Sequence, residues 1–189
     1  MEAVELFDSV CYNPFMLTIK DTMCYENPCT IRFPFGAFLM RRCIETVRPD
    51  AIIHLGDYFE DAEAMKEEYP GIPMYRVPGN CDRYRCPPGQ PEILIQPVFG
   101  VELYMTHGHR HNVKLHLGQL LRDARTCGVS AVLYGHTHEA DCTREADGLW
   151  VLNPGSCGYF GGSAGLMEIE NKTIRNCRIL RQEDLEEWT

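Results

Sequence analysis

Apolar positions along this chain recur with two alternating rhythms from residue 38 onward. Residues 38–47 carry Phe38, Leu39, Cys43, Ile44 and Val47 at helical spacing and are closed by Pro49, which predicts an amphipathic helix. Residues 51–55 are a short, nearly continuous apolar run, the mark of a strand buried on both faces. A second helix is expected over 61–69, stopped by Pro70-Gly71, and a strand over 74–77, ended by Pro78-Gly79. Residues 93–96 and 101–105 flank a turn at 97–100 and read as a hairpin. Residues 113–127 read as a helix with Leu117, Leu120, Leu121 and Ala124 on one face and Gly128 as its stop. Strands follow at 131–134 and 149–152, then a hairpin of 166–170 and 173–180 around Asn171-Lys172. The acidic segment 183–189 reads as a solvated face or a frayed end. Strands alternating with helices, then hairpins, predict an α/β fold with mixed sheets. With no internal repeat and no low-complexity linker, one domain over 1–189 is expected.

Composition narrows the partners. A length of 189 residues is ample for one substantial core. The formal net charge of -9 argues against a general nucleic-acid surface, because phosphate-backbone affinity comes from Lys and Arg. It leaves room for a small nucleotide held by metal ions, since a bound cation inverts the local charge. No stretch approaches membrane-span length and no basic-then-apolar leader is present, so no membrane association and a cytoplasmic location are expected. The ten cysteines fit reduced thiols better than a disulfide framework in a chain of this size. Cys43, Cys127 and Cys177 lie in apolar runs as small hydrophobes, and the C-x4-C pairs Cys24/Cys29 and Cys81/Cys86 are wider than most zinc spacings.

The chemistry sits where strands end. Leu55-Gly56-Asp57, Pro78-Gly79-Asn80-Cys81-Asp82, Thr106-His107-Gly108-His109 and Gly135-His136-Thr137-His138 each follow an apolar run. In open α/β sheets the loops beyond the carboxyl ends of strands gather into a site. A carboxylate, an amide oxygen and several imidazoles suit Mn, and also Ni, Fe, Co or Zn. Asp57 can bridge two metals through its two oxygens, while Asn80 adds a ligand without adding negative charge. His107, His136 and His138 offer imidazole nitrogens, and the period of two in a strand would put His136 and His138 on one face. Any one of these motifs alone is commonly a turn or a structural histidine; the four in order are not. His54, among apolar neighbours, reads as a satisfied core histidine or as one supporting a ligand, and His109 or His111 could orient substrate.

These motifs, followed by Asn153-Pro154-Gly155-Ser156, resemble the calcineurin-like metallophosphoesterase superfamily. More narrowly they are similar to its small YfcE-type phosphodiesterase branch, which is related to the retromer subunit of the same fold. The resemblance runs over 38–182, with residues 1–37 atypical. It implies a four-layer α/β/β/α sandwich of two mixed sheets with two divalent metal ions at the strand ends, Mn foremost. It further implies that Asp57 bridges the metals, that Asn80, His107 and His136 complete one site, and that His138 belongs to the other. Asp57, Asn80 and His107 are then the catalytic set, with Asn80, Cys81 and His109 near substrate. The implied reaction is hydrolysis of a small phosphodiester by a metal-activated water attacking in line with the leaving alkoxide. Relatives often dimerise, so a homodimer is a further expectation.

Two departures from that pattern bear on activity. The family begins with a strand ending in Asp-x-His, and this chain has no histidine before His54. Asp21, after the apolar run 15–19, is the preferred substitute and Asp8 the other; Met23 is too soft a donor for a hard cation. One firmly held metal and a second site that is weak or empty are therefore expected. Residues 24–36, with Pro28 and Pro34, read as an irregular insertion. In addition, Cys81 follows Asn80 where many superfamily members carry a proton-donating histidine. A non-catalytic scaffold that keeps the fold, and a phosphomonoesterase, are the alternatives.

Overall fold

The computed structural model describes residues 16–21, 35–158 and 162–186. Its strands are β1 (Met16–Asp21), β2 (Ala51–His54), β3 (Met74–Arg76), β4 (Ile93–Val98), β5 (Val101–Thr106), β6 (Ala131–Leu133), β7 (Asp141–Arg144), β8 (Trp150–Asn153), β9 (Ser163–Glu170) and β10 (Thr173–Arg181). Its helices are α1 (Phe35–Val47), α2 (Phe59–Glu68), α3 (Gly118–Thr126) and α4 (Gln182–Glu186). The strands form two five-stranded sheets, ordered β10-β9-β1-β2-β3 and β4-β5-β6-β8-β7. Both are mixed, as the strand and helix pattern predicts.

The two-residue period of each strand explains the layering. Ile53 of β2 joins a core shared with Leu103, Met105, Leu133 and Leu152 of the other sheet, so it faces the space between the sheets. Its neighbour Ile52 points the opposite way, onto Met40, Cys43 and Ile44 of α1 and Met65 of α2. On the other sheet, Tyr104, Val132 and Val151 pack on Leu120 and Ala124 of α3. Helices, sheet, sheet, helix is the resulting order. A strand covered on both faces favours apolar side chains, hence the apolar run of β6 and that of β2 up to its terminal His54.

Four details differ from the sequence reading. Helix α3 begins at Gly118 rather than 113, because Asn112 adopts a left-handed φ of 52° and Leu115 is 81% exposed instead of joining the apolar face. β7 is an edge strand of polar, largely exposed residues with no apolar alternation to mark it. The acidic tail forms α4, whose Leu185 is buried against the α1 core and whose Asp184 carboxylate accepts the Arg181 amide at 2.6 Å.

The fourth concerns β1. It runs antiparallel to β2, with Met16 opposite His54 and Ile19 opposite Ala51. The Asp21 end of β1 therefore points away from the carboxyl end of β2, roughly 17 Å along the strand from Met16 at about 3.3 Å per residue. Asp21 as a metal ligand beside Asp57 is thereby corrected: the expectation took the strand to deliver its carboxyl end to the site, and the pairing direction reverses it. Asp8 and the 24–34 part of the insertion lie outside the described residues.

Candidate metal centre

The loops after β2, β3, β5 and β6 meet at one pole of the sandwich. The first is strongly bent. Gly56, Asp57 and Tyr58 have φ of 98°, 56° and 57°, three successive left-handed residues of which two are not glycine. Such backbone is sparsely populated and is held here by its surroundings. Gly56 packs so closely that a Cβ on it would stand 2.6 Å from the Gly79 nitrogen and 2.8 Å from His107 Nδ1.

Asp82 holds the second loop to the first. Fully buried, its carboxylate accepts the Phe59 amide at 2.9 Å and the Gly79 amide at 2.7 Å. The Cys81 amide in turn donates to Asp57 Oδ1 at 3.1 Å. Asp57 is thus fixed by the chain that carries Asn80.

His107, at the end of β5, is fully buried. Its Nδ1 lies 2.8 Å from the Leu55 carbonyl oxygen, so the ring hydrogen sits on Nδ1 and Nε2 presents a lone pair. That lone pair faces Asn80 Oδ1 at 3.1 Å and Asp57 Oδ2 at 3.5 Å. Asn80 Nδ2 points to Cys81 Sγ at 3.4 Å, which leaves its oxygen toward the histidine. Burial, the largest influence, pushes the His107 imidazole well below its ordinary range and so keeps it neutral. Three acceptors therefore converge with no proton between them, an arrangement that a cation satisfies.

Two more imidazoles border this point. The His136 and His109 rings lie 5.0 Å and 5.4 Å from His107 and 6.1 Å from each other. His109 Nδ1 is buried without a hydrogen-bond partner among the described residues. His136 and His138 occupy a loop, not a strand, with φ of 69° and 66°. The expected strand face for this pair is corrected accordingly; left-handed turns re-aim the two rings. His138 lies within the field of Asp57, and burial followed by Lys114 lowers the basicity of both His136 and His138. Among the described residues no three His, Cys, Asp or Glu side chains stand close enough together to enclose a cation; the tight trio here includes an asparagine.

Further residues border the centre. Asn153, fully buried at the end of β8, donates through Nδ2 to the Gly135 carbonyl at 3.2 Å and to Thr137 Oγ1 at 2.8 Å, bracing the 135–138 turn. Its position in an Asn-Pro-Gly-Ser loop was legible, its bracing contacts were not. Lys114 carries no local signal at all. His54, fully buried, accepts the Gly56 amide on Nδ1 at 3.3 Å, and its Nε2 has no partner among the described residues; of the two expectations for it, a satisfied core histidine or one that supports a ligand, the first does not hold. His111 is structural, with Nε2 3.1 Å from the Tyr104 hydroxyl.

The chain belongs to the calcineurin-like phosphoesterase superfamily. Residues 37–172 match the model of the calcineurin-like phosphoesterase superfamily domain. The chain is 30% identical over 154 residues to phosphodiesterase MJ0936 of Methanocaldococcus jannaschii, covering 72% of this chain and 88% of that protein. A predicted phosphoesterase from Streptococcus pneumoniae superposes with a TM-score of 0.63 at 20% identity, over 90% of this chain and 91% of that one. Vps29 of Entamoeba histolytica in complex with zinc superposes with a TM-score of 0.58 at 17% identity, over 88% and 99% of the two chains. At these identities the two structures speak for the fold.

Proposed function

We infer that this protein is a metal-dependent phosphodiesterase that hydrolyses small phosphodiesters by in-line attack of water at a centre built on Asp57, Asn80, His107, His136 and His138. The convergence of the His107 Nε2 lone pair with Asn80 Oδ1 and Asp57 Oδ2 carries this reading, because a cation satisfies three facing acceptors at once. The phosphodiesterase name of the archaeal relative supports the choice of a diester. Oxygen and imidazole donors together suit Mn, with Ni, Fe, Co or Zn as substitutes.

A bound divalent ion would supply Lewis acidity and lower the pKa of a water it holds toward about 7. The chain does the rest. The amide of Cys81 fixes the Asp57 carboxylate, and the Leu55 carbonyl fixes the His107 tautomer. Burial raises the Cys81 thiol above its ordinary range, so at neutral pH it stays protonated and can hydrogen-bond to a phosphoryl oxygen. His109, at the rim with an unpartnered nitrogen, is placed to orient a second oxygen. Among the described residues, Asp57 and His138 would be left to a second cation, which makes that site the weaker of the two.

Turnover of bis(p-nitrophenyl) phosphate with added Mn tests this assignment. Asp57→Asn and His136→Ala should each abolish it; full activity in both variants would remove the reading. The placement of Asp21 away from the centre favours one alternative, a scaffold that binds metal without turnover. Metal-loaded protein inert toward aryl mono- and diesters across Mn, Ni, Co and Zn would establish that alternative. Preference for the monoester would instead make it a phosphomonoesterase.

A further inference from the structure

A cavity of about 580 Å³ opens beside the candidate centre, with Gly79, Asn80 and His109 at its inner end. That volume admits an organic group as well as a phosphate. A larger cavity of about 690 Å³ lies at the opposite pole, against Val101 and Trp150 at the starts of β5 and β8, and no candidate ligand borders it. Charge is unevenly distributed in the cavity beside the centre. Arg110 on one wall is paired with Glu92 through a hydrogen bond of 2.7 Å from Nη2 and a second contact from Nε. Arg83 on the other wall has no carboxylate within ion-pair distance among the described residues; its guanidinium lies 5.6 Å from the Tyr84 ring centroid. The wall that carries Arg83 continues through Pro87 and Pro88, whose fixed φ stiffens it.

Among the described residues, a positive charge without a paired carboxylate therefore stands in a cavity contiguous with the centre, in a chain of net charge -9. Where most of a surface repels anions, such a point concentrates them. A guanidinium presents a planar fork of donors that matches a phosphate group in two-point contact. We propose that this cavity is the subsite for one arm of the diester, and that Arg83 selects substrates whose arm bears a terminal phosphate. The proposal rests on the reading that the centre holds a phosphodiester, and it names the substrate class: phosphorylated short diesters rather than neutral-ended ones.

Binding calorimetry on the Mn-loaded full chain, with the dinucleotide ApA and its 5′-phosphorylated form pApA as probes, tests it. Wild-type protein should bind pApA at least about tenfold more tightly than ApA, the scale expected of a charge-assisted contact. In R83A that ratio should fall to about one, and R83K should restore part of it. Lys172→Ala, at the opposite cavity, should leave the ratio as in wild type. Equal affinities in wild type, no binding of either probe, or a tenfold preference retained in R83A would each overturn the subsite. The readout needs no turnover: a protein that prefers pApA but hydrolyses no diester contradicts the phosphodiesterase assignment and keeps the subsite. Hydrolysis of bis(p-nitrophenyl) phosphate without a pApA preference does the reverse.

Discussion

Gly79 lies against Asp57 so closely that a Cβ on it would stand 2.1 Å from Oδ1 and 2.4 Å from the Asp57 backbone nitrogen. The nitrogen cannot swing aside as a side chain can, so the loops after β2 and β3 fit only with glycine at this point. Gly79→Ala is expected to destabilise the fold by about 1–3 kcal/mol, the usual scale of overpacking, and to weaken Mn binding. Gly71→Ala, where a Cβ meets nothing within 4 Å, is the control. Urea unfolding of the two variants side by side checks this; equal stability would show that the loops can part.

Asp82 joins the same loops from beneath. Asp82→Ala strands the Phe59 and Gly79 amides, and a loss of about 2–3 kcal/mol follows from leaving buried donors unmet. Asp82→Asn keeps an oxygen for one of the two amides and should fall between alanine and wild type. Chemical denaturation of the three proteins gives the ranking directly.

Acid should destabilise the metal-free protein through its buried histidines. Burial drives His54 from 6.5 down to about 3, and His107 is lowered for the same reason. Below pH 6.5 the unfolded chain takes up protons that the folded chain refuses, so stability falls with falling pH. Each such group contributes about 1.4 kcal/mol per pH unit, for His54 until pH approaches 3. Unfolding free energies at pH 7.5 and 5.5 in the presence of a chelator should differ in this sense, with a smaller difference in His54→Gln. A difference of the same size in wild type and variant would mean that His54 does not contribute.

Asn153 acts on the centre without touching a cation. Its amide braces the turn that carries His136 and His138, and losing such a support typically weakens metal affinity about 10–100-fold. Asn153→Ala is expected to weaken Mn binding on that scale, read by isothermal titration against wild-type protein. An unchanged affinity would separate the turn's geometry from metal binding.

Much of this architecture was legible because β2 and β6, two of the strands that lead into the candidate loops, are fully buried. β6 is an unbroken apolar run and β2 is one up to His54, and Gly56 and Gly135 mark where each turns out. Polar or direction-dependent features were not. β7 is an exposed edge whose residues carry no alternation, and α4 depends on Leu185 finding the α1 core and on the Asp184 cap, both tertiary events. Asp21 shows the limit most plainly: residue type and spacing made it a ligand candidate, but strand direction, which pattern does not encode, took it to the other end of the sheet. Likewise residue type made His136 and His138 candidate donors, while their left-handed backbone left no mark in the pattern.

The central claim is that His107, Asp57 and Asn80 hold a cation that activates water toward a phosphodiester. Its most direct test is Mn binding, followed by electron paramagnetic resonance on the metal-stripped chain, in wild type and His107→Ala. Wild-type protein should take up one Mn tightly, any second one weakly, and become active toward bis(p-nitrophenyl) phosphate as the first site fills; His107→Ala should lose both the tight binding and the activity. Tight Mn binding undiminished in His107→Ala, or none in wild type, would contradict the account.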